Sequence, residues 1–410
     1  MNRVSVLLVS ALVPLLSIAQ IGILPYDSLI GLHTDHTITI EGWADYNSSS
    51  VYNELPWNIY RGGYIDHELR ERSRAVLNDR NSVGYDVGIR LHWIGRDSLF
   101  GWANSRPIVS IGYRNTMGAT FSRDVFGIAF FGNAQYEDQT AYLSPSAHRQ
   151  MSWQSVGFGI QRDRSFIRLD LLRGRSLNAS ELRTAEVYTA PFGQEFQVVM
   201  DAEYWRSDTA GGDQEHTNGI GAAISGRWHM PITIAGKNSS IAVSVDDLGV
   251  MQWNANAVRI ERDTSFVFDG LEVENIFDLD DVLIGEDQLI DTFGLNYMRE
   301  SFATLTPFRV AASLEFPIND QWQSRLTVDH RHLPGYIPQA VLSASRRFSD
   351  RALIGISAAY GGFGVLRFGL AARIRFGEFA LLELGSMHVP GFFLGNTRGA
   401  GAHVSLSIGL

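Results

Sequence analysis

The sequence predicts an all-β fold, a closed antiparallel β-barrel of about 14 strands with two short helical inserts. The first observation is the strict alternation of apolar residues with polar or small ones, which is typical of strands whose two faces meet different surroundings. The second is that no apolar run after the N-terminal leader is long enough to cross a bilayer as a helix. The third is that the connections between predicted strands alternate between tight turns and longer loops.

Residues 83–93 show the alternation most clearly. Every odd position is apolar, whereas the even positions hold Gly84, Asp86, Gly88, Arg90 and His92. A charged face opposite an apolar face favours a lipid-facing exterior and a wet or charged lumen, although a soluble β-sandwich gives the same pattern in any single strand. The pattern recurs in residues 109–114, 156–161, 167–171, 196–204, 308–316, 366–376 and 400–410.

The connections and tryptophans follow the arrangement of a membrane barrel. Tight turns are predicted at 162–165, 319–320, 349–350 and 377–378, and longer loops at 207–217 and 387–398. Short turns at one end and long loops at the other are typical of such barrels, as are aromatic girdles. Tryptophans fall near predicted strand ends, which fits girdles, although core aromatic residues are the alternative: Trp93, Trp102, Trp153, Trp205, Trp228, Trp253 and Trp322.

The N-terminus reads as an export signal. Arg3 supplies a positive charge, an apolar stretch follows, and residues 17–19 (Ser-Ile-Ala) form a small-x-small cleavage site. We therefore expect a signal peptide over residues 1–19 and a barrel domain over 20–410. If the mature chain lies in a membrane, only a closed barrel satisfies its backbone hydrogen bonds there.

Two segments depart from the strand pattern. Residues 62–79 have apolar residues at helical spacing behind a capping Asp66, and they predict a short amphipathic helix. Residues 275–300 are acidic with mixed helical spacing, and they predict either a second helical insert, acting as a plug or lid, or an ordinary long loop.

Composition excludes several classes of protein. The chain has 410 residues, a formal net charge of −10 and no cysteine. The negative charge disfavours nucleic acid as a partner. Because cysteine is absent, disulfides, thiolate metal sites and a cysteine nucleophile are excluded.

No catalytic motif stands out, so we expect no enzyme, no cofactor and no metal centre. The G-x-S-x-G, H-E-x-x-H and P-loop patterns are absent. The most suggestive cluster is 329–332 (Asp-His-Arg-His). Strand alternation places Asp329 and Arg331 on one side and the two histidines on the other, and an H-x-H pair alone is a weak metal signal.

The inward positions are the candidate functional residues. Charged side chains there either line a selective permeation path or form cross-strand ion pairs that fill a closed barrel. The lumen-lining candidates are Asp86, Arg90, His92, Arg114, Arg168, Asp170, Arg367, Arg373 and Arg375.

Four short motifs resemble a known family. They lie at residues 126–133 (FGIAFFGN), 141–145 (AYLSP), 246–253 (DDLGVMQW) and 396–399 (NTRG). They resemble an uncharacterised outer-membrane β-barrel family of Bacteroidota, which is distantly similar to FadL-type channels and to PorV-type barrels of type IX secretion. The resemblance implies a FadL-like barrel in the outer membrane of a Gram-negative cell, and it transfers no active residues.

Two functions remain open at this stage. The first is a porin-like transport barrel that passes or binds small molecules, hydrophobic ones among them. The second is a structural or partner-binding barrel that serves type IX secretion or surface assembly. The expected partners are outer-membrane lipid and either a small hydrophobic solute or secretion-system proteins, with no nucleic acid.

Overall fold

The computed structural model describes residues 23–25, 32, 34–96, 104–208, 217–268 and 298–410, with side chains of 262–268 excepted. The predicted signal peptide (1–19) and nearly all of the predicted insert at 275–300 lie outside these residues. The strands are β1 (Thr37–Ser48), β2 (Arg80–Ile94), β3 (Ser105–Ser122), β4 (Gln139–Tyr142), β5 (Ser146–Arg162), β6 (Ser165–Thr189), β7 (Phe196–Arg206), β8 (Gly219–Ile234), β9 (Lys237–Trp253), β10 (Val258–Phe268), β11 (Met298–Arg299), β12 (Ala303–Leu305), β13 (Arg309–Pro317), β14 (Trp322–Arg331), β15 (Ile337–Ser349), β16 (Ala352–Gly362), β17 (Gly364–Phe376), β18 (Ala380–Ser386) and β19 (Gly399–Gly409).

Fourteen of these strands close into a ring in which every pairing is antiparallel. The ring runs β1–β2–β3–β5–β6–β8–β9–β13–β14–β15–β16–β17–β18–β19 and returns to β1. The closing pair joins Thr37 to Gly409 and Asn47 to Gly399. Closure leaves the ring without an unpaired edge. The predicted fold class, including the strand number, is confirmed.

The two rims differ as the sequence predicts. One rim, the short-turn rim, carries the tight connections 162–165, 234–237, 317–322, 349–352 and 376–380. The opposite end, the long-connection rim, carries most of the helices and the segment 387–398. Of the predicted loop 207–217, residues 209–216 lie outside the described part of the chain.

The outer face of the barrel is apolar. On β2, Asp86 and Arg90 are buried whereas Val87, Ile89 and Leu91 are exposed. Adjacent outward positions extend this surface into an apolar belt suited to contact with hydrocarbon. Its exposed members include Val156, Phe158, Ile167, Leu169, Leu171, Leu342, Ile354, Ile356, Leu366, Phe368 and Leu370.

Three short helices sit on the long-connection rim. They are α1 (Glu54–Arg61), α2 (His67–Ala75) and α3 (Arg123–Phe131). The expected cap is present, because Asp66 accepts a hydrogen bond from the Leu69 backbone N–H at 2.7 Å. The segment predicted as helical, 62–79, contains α2, whereas α1 and α3 were not predicted. No helix among the described residues is long and apolar enough to cross a membrane.

The barrel sheet continues beyond the long-connection rim as a part that we call the extension. It forms because β6 is 25 residues long and continues past its barrel neighbour β8. Residues 186–189 of β6 pair with β4 on one side, residues 178–189 pair with β7 on the other, and β10 pairs with β7. Strand β7, with its alternating sequence, therefore belongs to the extension and not to the ring.

The aromatic prediction is wrong for two tryptophans. Trp153 and Trp253 are only 1% and 0% exposed and pack in one apolar cluster with Met151 and Met251. Glycine at 174 makes room for them, since a Cβ there would lie 3.0 Å from the Trp253 ring. These residues therefore fill the interior and do not form part of a girdle.

Candidate functional site: the barrel interior

A buried charge cluster occupies the middle of the barrel. Arg114 on β3 donates two hydrogen bonds to Asp86 on β2, at 2.9 and 2.8 Å, and a third to Asp247 on β9 at 2.6 Å. All three side chains are almost fully buried. The indole N–H of Trp43 donates to the same Asp86 carboxylate at 2.9 Å. These hydrogen bonds hold the Arg114 guanidinium in a fixed position, because moving it away would leave a buried charge without partners, which is costly.

Asp247 reaches this cluster because the backbone is bulged. The β8–β9 register shifts between Ile224 and Gly226, and Asp247 has a left-handed φ of 55°. Its N–H donates to the hydroxyl of Ser225 at 3.1 Å. A bulge re-aims a side chain. The bulge gives the 246–253 motif a structural role, because Asp247, the second aspartate of that motif, is an acidic partner of Arg114.

A second arm of the cluster comes from the opposite wall. Arg331 on β14 donates to Asp86 at 2.6 Å, which joins two strands that are not neighbours in the ring. Asp329, two residues earlier, accepts from Arg309 at 3.1 Å and from Gln339 at 3.1 Å. As alternation predicts, Asp329 and Arg331 are both buried on the inner side.

A third arm lies on β6. The Nε atom of Arg168 donates to both carboxylate oxygens of Asp170, at 2.8 and 3.0 Å. Ser225 links this pair to Asp247, because its hydroxyl lies 3.1 Å from Asp170 and 3.4 Å from Asp247. Arg90 also belongs to the cluster, with its guanidinium nitrogen 3.5 Å from an Asp247 carboxylate oxygen.

The other predicted lumen residues lie nearer the rims or the barrel seam. His92 is 3.0 Å from Glu41, and Arg373 forms hydrogen bonds of 2.9 and 2.7 Å to Glu383. The Arg367 guanidinium donates to the Gly361 carbonyl at 3.1 Å. Arg375 lies next to the short-turn rim, where its backbone N–H donates to the Arg351 carbonyl at 2.8 Å.

Residues 23–25 lie inside the barrel, towards the short-turn rim. Ile23 and Leu24 are 0% and 1% exposed and pack in a cluster with Val341, Leu353 and Met387. Arg325 donates to the Leu24 carbonyl at 3.0 Å, and Arg373 donates to the Pro25 carbonyl at 3.3 Å. Residues 23–25 therefore occupy part of this end of the lumen.

Near the long-connection end, three buried side chains pack in one cluster, which we call the lid cluster: Leu333, Tyr336 and Phe363. Phe363 and Tyr336 meet edge to face with centroids 5.0 Å apart. Below them, a cavity of about 10 Å³ is left among the charged groups. That is room for about one water molecule.

Sequence reasoning missed most of the acidic partners and both closing segments. Glu41, Asp247, Asp329 and Glu383 lie in stretches that were not assigned to the lumen face. Asp329 is the exception, because its spacing of two residues from Arg331 places both side chains on one face of β14. In the described ranges no group of three or more His, Asp or Glu side chains is placed to hold a metal ion.

One family model matches part of the chain. A model for a family of unknown function, DUF5723, matches residues 220–382, which is less than half of the chain. No curated protein matches the sequence.

Several solved barrels align over most of the chain. The toluene transporter TodX of Pseudomonas putida shares 10% identity over 93% of this chain and 89% of its own, with a TM-score of 0.37. The toluene transporter TbuX of Ralstonia pickettii shares 8% identity over 93% and 91%, with a TM-score of 0.38. The translocator domain of the autotransporter NalP from Neisseria meningitidis shares 6% over 93% and 91%, with a TM-score of 0.35. Because these TM-scores are below 0.5, the barrel assignment rests on the strand pairing of this chain alone.

Proposed function

We propose that this protein is an outer-membrane β-barrel that passes or binds small molecules through a lumen that is closed at rest. The apolar belt supports a membrane location, because a closed barrel pairs all its backbone N–H and C=O groups between strands and its apolar exterior can contact lipid. An export signal over residues 1–19 and a Gram-negative outer membrane complete this proposal.

One observation supports the passage of solutes through the lumen. Each end of the lumen is filled by a part that can leave without breaking the barrel wall. At one end this part is residues 23–25, and at the other it is the Phe363 side chain. Neither is in a ring pairing, whereas the glycines that flank Phe363 are paired, so the ring and residues 23–25 can move while all fourteen strands stay hydrogen-bonded.

Solute entry into proteoliposomes tests the proposal. The chain is refolded without residues 20–25, with Phe363→Ala, with Arg331→Ala, which removes the bond to Asp86 across the centre of the lumen, and with all three changes, and each sample is checked for a heat-dependent gel shift. We expect the intact barrel to admit little solute and the triply changed barrel to admit small solutes readily. A triply changed barrel that folds but admits nothing would overturn passage through the lumen.

The extension favours a second candidate, a barrel that binds protein partners in type IX secretion or surface assembly. It presents a charged sheet surface beyond the rim, where Arg183 bonds Asp201 and Glu203 at 2.7 and 2.8 Å. The test is gentle-detergent purification from the native membrane. A stoichiometric partner lost when β7 and β10 are removed would support this candidate, and an unchanged lone barrel would count against it.

A further inference from the structure

Phe363 occupies an unusual place for a residue at a barrel rim. It is the single residue between β16 and β17, yet it is only 5% exposed. Its ring extends across the long-connection end of the barrel to β2 and β3, where it packs against two glycines. A Cβ at Gly84 would lie 2.2 Å from the ring, and one at Gly118 would lie 2.9 Å from it. Any other residue at Gly84 would collide with this ring, so the wall is shaped to accept it.

Two glycines in the left-handed region precede Phe363. Gly361 and Gly362 both have positive φ, at 97° and 74°, and the β16–β17 register shifts between Ala359 and Gly361. Glycine adopts such backbone angles, and many others, at little cost. The Phe363 carbonyl is held by one long hydrogen bond, from the Ser82 hydroxyl at 3.4 Å.

The cavity beneath Phe363 is polar. Its lining includes Asp45, Asn47, Arg331, Gln339 and Arg367. Arg331 and Arg367 are 4% and 8% exposed, and among the described residues the Nε atom of each lacks a hydrogen-bond acceptor. A buried donor without an acceptor normally pairs with water or a ligand. Both signs of charge are present, so the lining offers donors and acceptors together.

We propose that Phe363 is a lid over a polar binding chamber, and that this chamber takes small solutes carrying both a cationic and an anionic group. When the ring leaves Gly84 and Gly118, the chamber opens to the long-connection side and Arg331, Arg367 and Asp45 meet the solute. This inference rests on the proposed passage or binding of small molecules, and it names the entry site and the class of solute.

Cysteine labelling tests the lid directly, because the chain has no cysteine of its own. Asn47→Cys places one thiol in the chamber, and Gln339→Cys provides a second position if the first variant does not fold. Each is labelled with a cationic and with an anionic methanethiosulfonate, with Phe363 intact and with Phe363→Ala. The matched control is Phe368→Ala, which removes an exposed ring from the outer face of the next strand, β17.

We expect Phe363→Ala to accelerate labelling by about tenfold or more with both reagents, and Phe368→Ala to leave it unchanged. Equal rates with and without the Phe363 ring would overturn the lid. Acceleration with a reagent of only one sign would overturn the charge-balanced solute class. Labelling requires no passage through the lumen. A positive result here beside failed solute entry would therefore retain the chamber as a binding site and reject transport.

Discussion

Arg331 on β14 donates to Asp86 on β2 at 2.6 Å, across the barrel interior and 245 residues apart in the chain. Asp86 also accepts from Arg114 and Trp43, so one carboxylate ties together the walls that β1, β2, β3 and β14 form. The bond explains why the lumen is closed at its centre, since an arginine reaching from one wall meets a carboxylate on another.

Arg331→Ala removes this connection and leaves part of the Asp86 charge unpaired. We expect a loss of about 3 kcal/mol in the free energy of unfolding, the low end for a broken buried pair, because Arg114 remains beside Asp86. Denaturant unfolding of the refolded barrel measures it. Arg351→Ala, in an exposed turn, is the control and should change stability by no more than about 0.5 kcal/mol. Equal losses in the two variants would show that the Asp86 bond contributes nothing specific.

Asp247 has two separate roles that substitutions distinguish. It supplies a carboxylate to Arg114, and it adopts a left-handed φ that asparagine tolerates better than alanine. We expect Asp247→Asn and Asp247→Ala both to destabilise the barrel, with alanine worse by about 1 kcal/mol. The same unfolding measurement compares them. If the two variants have the same free energy of unfolding, backbone strain at this bulge has no measurable cost.

The alternation of apolar and polar residues was sufficient to predict the closed ring of strands, but not which side chains pair inside it. Period-two patterning marks which side chains of β2 point inward, because each strand alternates independently of its partners. Which inward arginine meets which inward carboxylate depends on the registers of distant strands and on bulges such as that at Asp247. A single sequence does not encode these relations locally, so Arg114 was recognised as a lumen candidate and its partner was not.

The closing parts were missed for a different reason. Phe363 lies between two glycines in what reads as an ordinary tight turn, and nothing in its neighbours shows that the ring folds inward. Its partners, Gly84 and Gly118, are 279 and 245 residues away in the chain. Ile23 and Leu24 follow the predicted leader too closely to show a pattern of their own.

The apolar belt predicts a strong cost for charge on the outer wall. Leu169 is an exposed residue of β6 with exposed apolar residues two positions away on both sides, Ile167 and Leu171. Leu169→Arg should reduce the free energy of folding into bilayers by about 2–4 kcal/mol, the cost of an arginine near the bilayer midplane. Folding into lipid vesicles, followed by the heat-dependent gel shift, measures it. Phe192→Arg is the control, since Phe192 is 88% exposed in the connection after β6 and lies beyond the belt. Efficient folding of Leu169→Arg would contradict a lipid-facing outer wall.

The extension should respond to acid through Arg183. This guanidinium donates to Asp201 at 2.9 and 2.7 Å, and this hydrogen bonding lowers the pKa of the Asp201 carboxyl below its ordinary value. Because the folded pKa is depressed, the ion pair stabilises the extension fully above the ordinary aspartate pKa. That contribution is lost as the pH falls through the depressed value. Carbon NMR of labelled aspartate should show Asp201 titrating below the exposed aspartates.

Arg183→Ala should return the pKa of Asp201 towards its ordinary value. The control is Arg299→Ala, which removes another exposed arginine at the same end of the barrel. Exposed pairs contribute little to stability, so we expect the titration to move while overall unfolding stays the same. An Asp201 pKa that is unchanged in Arg183→Ala would show that this ion pair does not persist in solution. The extension would then present its carboxylates free to a partner.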